Sequence, residues 1–589
     1  MKNRFSFALV ALLLVSLSLS SLAFAQQKQT GQSPVGGITS GKTTPGTTTT
    51  NRRSPRPRAP GGNTATAAIE RDLTEALGVI EDNYVDGNKL DYNNAFKSSI
   101  IGMLRTLDPH SNYYDREEFD ELKTDQRSEY YGIGASIANA TIGDKTDTYI
   151  QATFDNSPAA RAGLLFGDRI TAVNGDDMHA KSSLEVRDKI RGPKGSVVKI
   201  TVERAATGKL ETVEITRDAV PQPSVPDAYF LKPGVGYIDM TRGFNYTTTD
   251  ELTSALEELH SKGMTSLVLD LRNNPGGFLD QAIHVAEKFL PSGKVILTQK
   301  GRDGFGDRSR SSENPNPDLT PLVILVNGGT ASASEIVAGA MQDHDRALIV
   351  GQTSFGKGLV QSIIPLEYGA GLTLTSAKYY TPSGRLIQRD YSNGGFYDYY
   401  TRGGSTRLDQ KKDEPARPNG PALKTDTGRP VYGGGGITPD EDVKARSINT
   451  IQSKLQLGPV FFFARELVSG RVAGFDTYKV QRPIDFTHSL QPSDFPVTDA
   501  LFKAFKDYVA KQPSWKFTDA QLDRNRDFIE LELRRNLVTA AYGTVMASRV
   551  FVSRNSADID DPQVARAVAV LPRARDLAVS ALRAKNQQP

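Results

Sequence analysis

The chain reads as an α/β multidomain protein, on three observations. From about residue 219, strand-like and helix-like segments alternate, as they do where helices cover a mostly parallel sheet. Residues 129–218 are instead short apolar or alternating runs broken by glycine turns. Helical periodicity marks residues 64–128 and 445–589. A chain of 589 residues exceeds a single core at roughly 100–200 residues per domain, so several units are expected.

The first 25 residues have the form of an export signal. Lys2 and Arg4 form a basic start, an apolar run follows, and Ala23-Phe24-Ala25 supplies small residues for cleavage after Ala25. Export to the periplasm or cell envelope is therefore expected. The alternative is an uncleaved anchor, since the run approaches the roughly 20 residues that span a bilayer. Residues 26–63 are Gly, Thr, Pro and Ser with six basic and no acidic residues, too little apolar surface to order a fold, and read as a disordered linker.

Overall charge is close to balance, +3 from 71 basic and 68 acidic residues, which gives no pointer to nucleic acid. The absence of cysteine excludes disulfides, thiolate metal sites and a cysteine nucleophile. None of the six histidines is paired at the H-x-x-x-H spacing, so neither a metal nor a cofactor is expected.

In the helical N-terminal region, Ile69, Leu73, Ala76, Leu77 and Ile80 share one face of a predicted helix, and Met103, Leu104 and Leu107 of a second are expected in the core. Within 129–218, "SPAARAGLLFGDRITAVNGDDM" resembles a PDZ domain, and "YYGIGASI" stands where that family keeps its carboxylate-binding loop. Gly132 and Gly134 flank Ile133 in a pattern that turns successive backbone N–H groups inward as an anion nest, ahead of a strand whose edge can take a peptide. Between 219 and 444, a strand, a glycine turn and a helix recur twice, at "RNNPGG" and at "NGGTASASE". Residues 391–436 lack an apolar period and read as a surface insertion; 445–589 read as a helical C-terminal extension.

"NGGTASASE" permits two readings. Ser332 and Glu335 have the S-x-x-E spacing of a capping box. Ser332 also suits a nucleophile, which needs a base and an oxyanion hole. His344 cannot be that base, because three helical turns separate it from Ser332, about 18 Å at 1.5 Å per residue. A desolvated lysine can serve. Lys357, between Gly356 and Gly358 at the entry to an apolar strand, is the candidate, and on a regular strand Gln361 would project from the same face and orient it.

"NGGTASASEIVAGAMQD" with "GQTSFGKGLVQ", "LDLRNNPGGFLDQA" and "YYTPSGRLIQ" resembles the carboxyl-terminal processing proteases, the tail-specific serine peptidases of family S41. The resemblance spans roughly residues 70–390 and includes "LDPHSNYYDREEFDEL". It implies a peptidase core of the crotonase/ClpP-like β–α kind with the PDZ domain inserted ahead of it. It also implies Ser332 as nucleophile, Lys357 as general base, Gln361 in support, and an oxyanion hole of the Ala333 N–H with that of Gly276 or Gly277. Some relatives use an aspartate beyond the nucleophile, here Asp343. Protein or peptide substrates with free C-terminal tails are implied, an adaptor or regulator protein and a homodimer are further candidate partners, and nucleic acid is not among them. The competing reading is a PDZ scaffold without activity, which loss of Ser332, Lys357 or Gln361 would have favoured; all are present.

Overall fold

The computed structural model describes residues 64–125, 129–143, 145–302, 307–392, 399–400, 420–480, 483–552 and 559–585. The export segment, the linker 26–63 and much of the 391–436 insertion lie outside the described residues. Residues 64–107 and the chain from Asp108 onward form separate compact units.

The first unit holds the helices Thr64–Asn83 and Tyr92–Arg105. The second begins at an N-cap, where Asp91 accepts the Asn94 N–H (3.1 Å). Leu104 is buried as expected, but Met103 and Leu107 are exposed, as are Ile69, Leu73 and Ile80. Helical periodicity identifies an apolar face; it carries no information on whether another element covers it.

In the larger unit, the chain enters and leaves the PDZ-like segment through a two-stranded ladder, Glu129–Gly132 against Asp218–Pro221. Between them, the strands Ala135–Ile142, Lys145–Thr153, Arg169–Val173, Val197–Glu203 and Leu210–Thr216 follow one another across an antiparallel sheet, with Ala135–Ile142 at one edge. Ile150, Ile170, Val198 and Ile200 meet Val186 of the helix Ser183–Ile190 in its core.

The central sheet runs Asp227–Lys232, Val235–Asp239, Ser266–Asp270, Leu322–Val326, Ala347–Gly351, Glu441–Asp442, parallel after its first pair. Three of these strands are buried along their whole length, which requires cover on both faces. Leu267, Leu269 and Ile324 pack against the helices Thr248–Ser261, Leu279–Glu287 and Ala333–Asp343. The alternate residues Val268, Val323 and Leu325 pack on the opposite face against Val564, Ala567 and Leu571 of the helix Pro562–Lys585. The last helix of the C-terminal extension therefore closes the sheet's second face. A second sheet, built around the strand Gly371–Tyr380, pairs it with Asn112–Tyr114, Val295–Gly301 and Leu359–Pro365.

The rest of the extension has its own apolar core, in which Phe463, Phe505 and Leu533 are buried. Ala140, Tyr149 and Phe166 of the PDZ-like segment join that core. Arg465 donates to the Gly167 carbonyl (2.7 Å), and Arg549 pairs with Asp227 of the central sheet (2.6 Å). Among the described residues, no helix is long and apolar enough to cross a membrane.

Candidate active site

The buried strand Leu322–Val326 ends in the turn that carries Ser332, and the helix Ala333–Asp343 follows at once. Thr330 anchors the turn by donating to the Leu271 carbonyl (2.7 Å). Ser332 has φ 57° and ψ −116°, a backbone conformation that costs a non-glycine residue about 1–3 kcal/mol and persists only where its surroundings impose it. Two groups do so. The Ser332 N–H donates to Glu335 Oε2 (2.8 Å), and the Tyr379 hydroxyl donates to the Ser332 carbonyl (3.0 Å).

Glu335 is wholly buried, and its carboxylate accepts four hydrogen bonds: from the N–H groups of Ser332, Lys357 (2.8 Å) and Gly356 (2.7 Å) and from the Ser354 hydroxyl. An ionised carboxylate is an acceptor only, so four donors fill it. Burial raises the Glu335 pKa, and these bonds oppose the rise. The Tyr379 hydroxyl also reaches the Lys357 carbonyl. One carboxylate and one tyrosine thus hold the backbones of Ser332 and Lys357 to common partners across a gap of 25 residues.

Lys357 is half-buried, and desolvation lowers its ammonium pKa to about 8 against the opposing pull of the Glu335 and Asp108 carboxylates. Burial, with the Lys357 charge second, drives His110 down to about 3, so its imidazole is neutral. His110 Nε2 lies 2.7 Å from the Tyr399 hydroxyl, which also accepts from Gln388 Nε2 (3.1 Å), and Gln388 Oε1 accepts the Gly358 N–H (2.8 Å). Tyr399, from the segment read as a surface insertion, is buried edge-on against Phe355 and His110.

The turn Pro275–Gly277 meets Ser332 directly. A Cβ on Gly276 (φ +92°) would fall 2.8 Å from both Ser332 Cβ and Ala333 N, and one on Gly277 (φ +147°) would fall 2.0 Å from the Phe244 carbonyl oxygen, so both positions require glycine. The Gly276 N–H is committed to Asn274 Oδ1 (2.9 Å). The N–H groups of Ala333 and Gly277 have no acceptor among the described residues. Arg272, at the start of this turn, is held by Asp270 (2.6 Å) and, from the C-terminal extension, by Asp561 (2.7 Å) and Gln563 (2.9 Å).

The remaining candidates lie differently. The strand at Lys357 begins only at Leu359, and a bulge between Val360 and Gln361 breaks the regular register, so the same-face argument for Gln361 does not hold. Gln361 Nε2 donates to Thr375 Oγ1 (3.2 Å); among the described residues no hydrogen bond joins it to Lys357, and its Oε1, the atom that would accept from a lysine amine, is not used in that bond. Asp343 sits at the far end of the helix from Ser332, about 16 Å along its axis. It forms a buried ion pair with Arg385 (2.5 Å) and accepts the Ser383 N–H (2.9 Å). Asp343→Ala is accordingly expected to cost about 3–5 kcal/mol of stability by stranding Arg385. The turnover of the folded fraction should be spared; a thermal melt beside active-site titration distinguishes this from a catalytic role.

In the PDZ-like segment, Gly134 (φ +73°) packs on Ser157, where a Cβ would fall 2.3 Å from the serine Cβ. The Ile133 carbonyl accepts the Ala159 N–H (2.7 Å) and that of Gly134 accepts the Phe154 N–H (3.0 Å). The N–H groups of Ile133 and Gly134 have no acceptor among the described residues, as an anion nest requires. Sequence reasoning gave no role to His110, Tyr379, Asp561 or Gln563. His110 and Tyr379 lie within "LDPHSNYYDREEFDEL" and "YYTPSGRLIQ", two segments that carry the family resemblance, whereas nothing local marks the two extension residues.

Known proteins resemble this chain. Residues 234–394 match the model of peptidase family S41, and residues 155–204 that of the PDZ domain. The carboxy-terminal-processing protease of Bartonella bacilliformis is 39% identical over 296 residues, 50% of this chain and 67% of that one. The carboxyl-terminal-processing protease of a Picosynechococcus species is 38% identical over 284 residues, 48% of this chain and 67% of that one. Among solved structures, a photosystem II D1 C-terminal processing protease is 27% identical and overlaps 63% of this chain and 92% of its own, at a TM-score of 0.34.

Proposed function

The chain belongs to peptidase family S41, alongside the carboxy-terminal processing proteases, and on that premise we propose that it is an exported serine endopeptidase that holds a protein's C-terminal tail at its PDZ domain and cleaves near that end through a Ser/Lys acyl-enzyme. The observation that supports the reading is the shared Glu335 carboxylate, which accepts from the backbone N–H groups of both a strained serine and a lysine of depressed pKa.

In this mechanism the neutral Lys357 amine takes the Ser332 hydroxyl proton as Oγ attacks the scissile carbonyl. The oxyanion accepts from the Ala333 and Gly277 N–H groups. Of the two glycines, Gly277 is favoured because the Gly276 N–H is already bonded to Asn274. The lysine returns the proton to the departing amine, and then activates the water that releases the acyl group. His110, being neutral, places no second positive charge against the lysine. The crotonase/ClpP-like reading of the core is supported by the parallel central strands whose turns lead into helices at Leu279 and Ala333.

For the tail, the Ile133 and Gly134 N–H groups would bind the terminal carboxylate, with the peptide added as a strand along Ala135–Ile142. Two versions of one peptide test this, one with a free C-terminal carboxylate and one amidated. Faster cleavage of the free acid, through a lower KM, is expected; equal KM and kcat for both would remove tail recognition from the account.

A further inference from the structure

Residues of the C-terminal extension reach the edge along which a tail would lie. Trp515 Nε1–H donates to the Thr141 carbonyl (3.5 Å) near the far end of the strand Ala135–Ile142. Gly458 lies beside both groups, such that a Cβ there would fall 3.4 Å from Trp515 Nε1 and 3.6 Å from the Thr141 oxygen. The indole is held by Phe462 (stacked, ring centroids 6.2 Å apart) and Tyr508 (5.6 Å). Ala140 and Ile142 pack into the same apolar cluster as Phe461 and Phe462, which holds the strand against the extension on either side of Thr141.

A strand carbonyl that accepts from Trp515 is turned away from its own ladder, and in an antiparallel pair outward- and inward-turned residues alternate. Register is unbroken from Ile137 to Ile142, the only bulge lying between Ser136 and Ile137. Asn139 and Ile137 therefore share the outward orientation of Thr141 and offer their main-chain groups to an added strand. Thr141 does not, because the Trp515 indole stands against its carbonyl, where the added strand would lie. At the same level, the Asn139 side chain accepts the Ser183 N–H (2.7 Å) and donates to the Lys181 carbonyl (3.0 Å), tying the strand to the start of the helix Ser183–Ile190.

We propose that Trp515 is the end stop of the tail-binding edge, so that the protein reads only about the last five residues of a substrate. With the terminal carboxylate on the Ile133 and Gly134 N–H groups, tail residues about two and four from the end would pair with Ile137 and Asn139, and the next pairing position, Thr141, is closed. This rests on the tail-binding reading above.

The test uses the full chain carrying Ser332→Ala, so that peptides bind without being cut. Peptides of three to nine residues that share one free C-terminus are measured by fluorescence anisotropy. Affinity should rise up to about five residues and then change by less than about twofold, whereas Trp515→Ala should let it rise several-fold further for the longer peptides. Trp515 is the chain's sole tryptophan, so its intrinsic emission is a second readout that needs no substitution at the indole. Emission should be unmoved by the shorter tails and shift once a tail is long enough to meet the indole. Affinity that keeps climbing to nine residues with Trp515 in place, or emission blind to tail length, overturns the end stop. If amidated and free-acid peptides bind alike, or none binds, tail recognition itself fails, which is a separate result from a misplaced plateau.

Discussion

Ser332→Ala and Lys357→Arg are each expected to lower kcat/KM for a peptide with a free tail by at least about 10⁴-fold, because a nucleophile and its base act as a unit. The arginine variant is the more telling of the two. It keeps a long cationic side chain, but a guanidinium does not lose its proton in a protein, so charge and reach are conserved while basicity is lost. On the proposed mechanism, the base in the unsubstituted enzyme is the deprotonated lysine. Its pKa of about 8 therefore predicts kcat/KM that rises about tenfold per pH unit below pH 8 and levels off above it. The sign follows from burial: desolvation disfavours the ammonium, so the active free amine is present at a pH more than two units lower than an exposed lysine would allow. A flat profile between pH 6 and 9 would rule out Lys357 as the titrating base.

Glu335→Gln is expected to lower kcat by about 10²–10³-fold, the effect of misplacing a catalytic pair by an ångström or so. An amide of the same size replaces one acceptor oxygen with a donor NH2. Whichever way it turns, it sets that NH2 against donors that Glu335 now satisfies: Ser332 and Lys357 N–H on one side, Gly356 N–H and the Ser354 hydroxyl on the other. Each stranded buried donor costs about 1–3 kcal/mol, so the melting temperature should fall as well. A positioning role is separated from plain destabilisation by a kcat measured below the melt and normalised to folded protein. In that measurement kcat falls while KM for the tail, read at the PDZ domain, stays where it was. Unchanged kcat in the folded fraction would leave Glu335 as packing alone.

Much of this site is legible in sequence because its chemistry sits in two short segments. Ser332 opens a helix after a buried strand, and Lys357 stands between glycines ahead of another, so both local settings can be read without a fold. What could not be read is long-range. Choosing between Gly276 and Gly277 depends on the Asn274 side chain capturing one N–H, which the "PGG" turn does not announce. For Gln361, the same-face argument assumes a regular strand, which the bulge between Val360 and Gln361 interrupts; the resemblance is its other ground. Asp343 is a candidate through the resemblance alone, and its buried partner Arg385, 42 residues on, is not visible from the local sequence. The helical extension carried amphipathic periodicity and no motif. Its contributions, a covered sheet face, the Asp561 hold on Arg272 and the Trp515 cap on Thr141, exist only once distant segments meet.

The central claim is an acyl-enzyme formed on Ser332 with Lys357 as base. Its most direct measurement is peptide mapping by mass spectrometry after brief reaction with an activated ester of a substrate-like acyl group, run on the unsubstituted, Lys357→Arg and Ser332→Ala proteins. The account predicts a single acyl adduct on the Ser332 peptide in the unsubstituted protein, strongly reduced in Lys357→Arg and absent in Ser332→Ala. An adduct on another residue, or acylation of Ser332 that proceeds equally fast with arginine at 357, would contradict it.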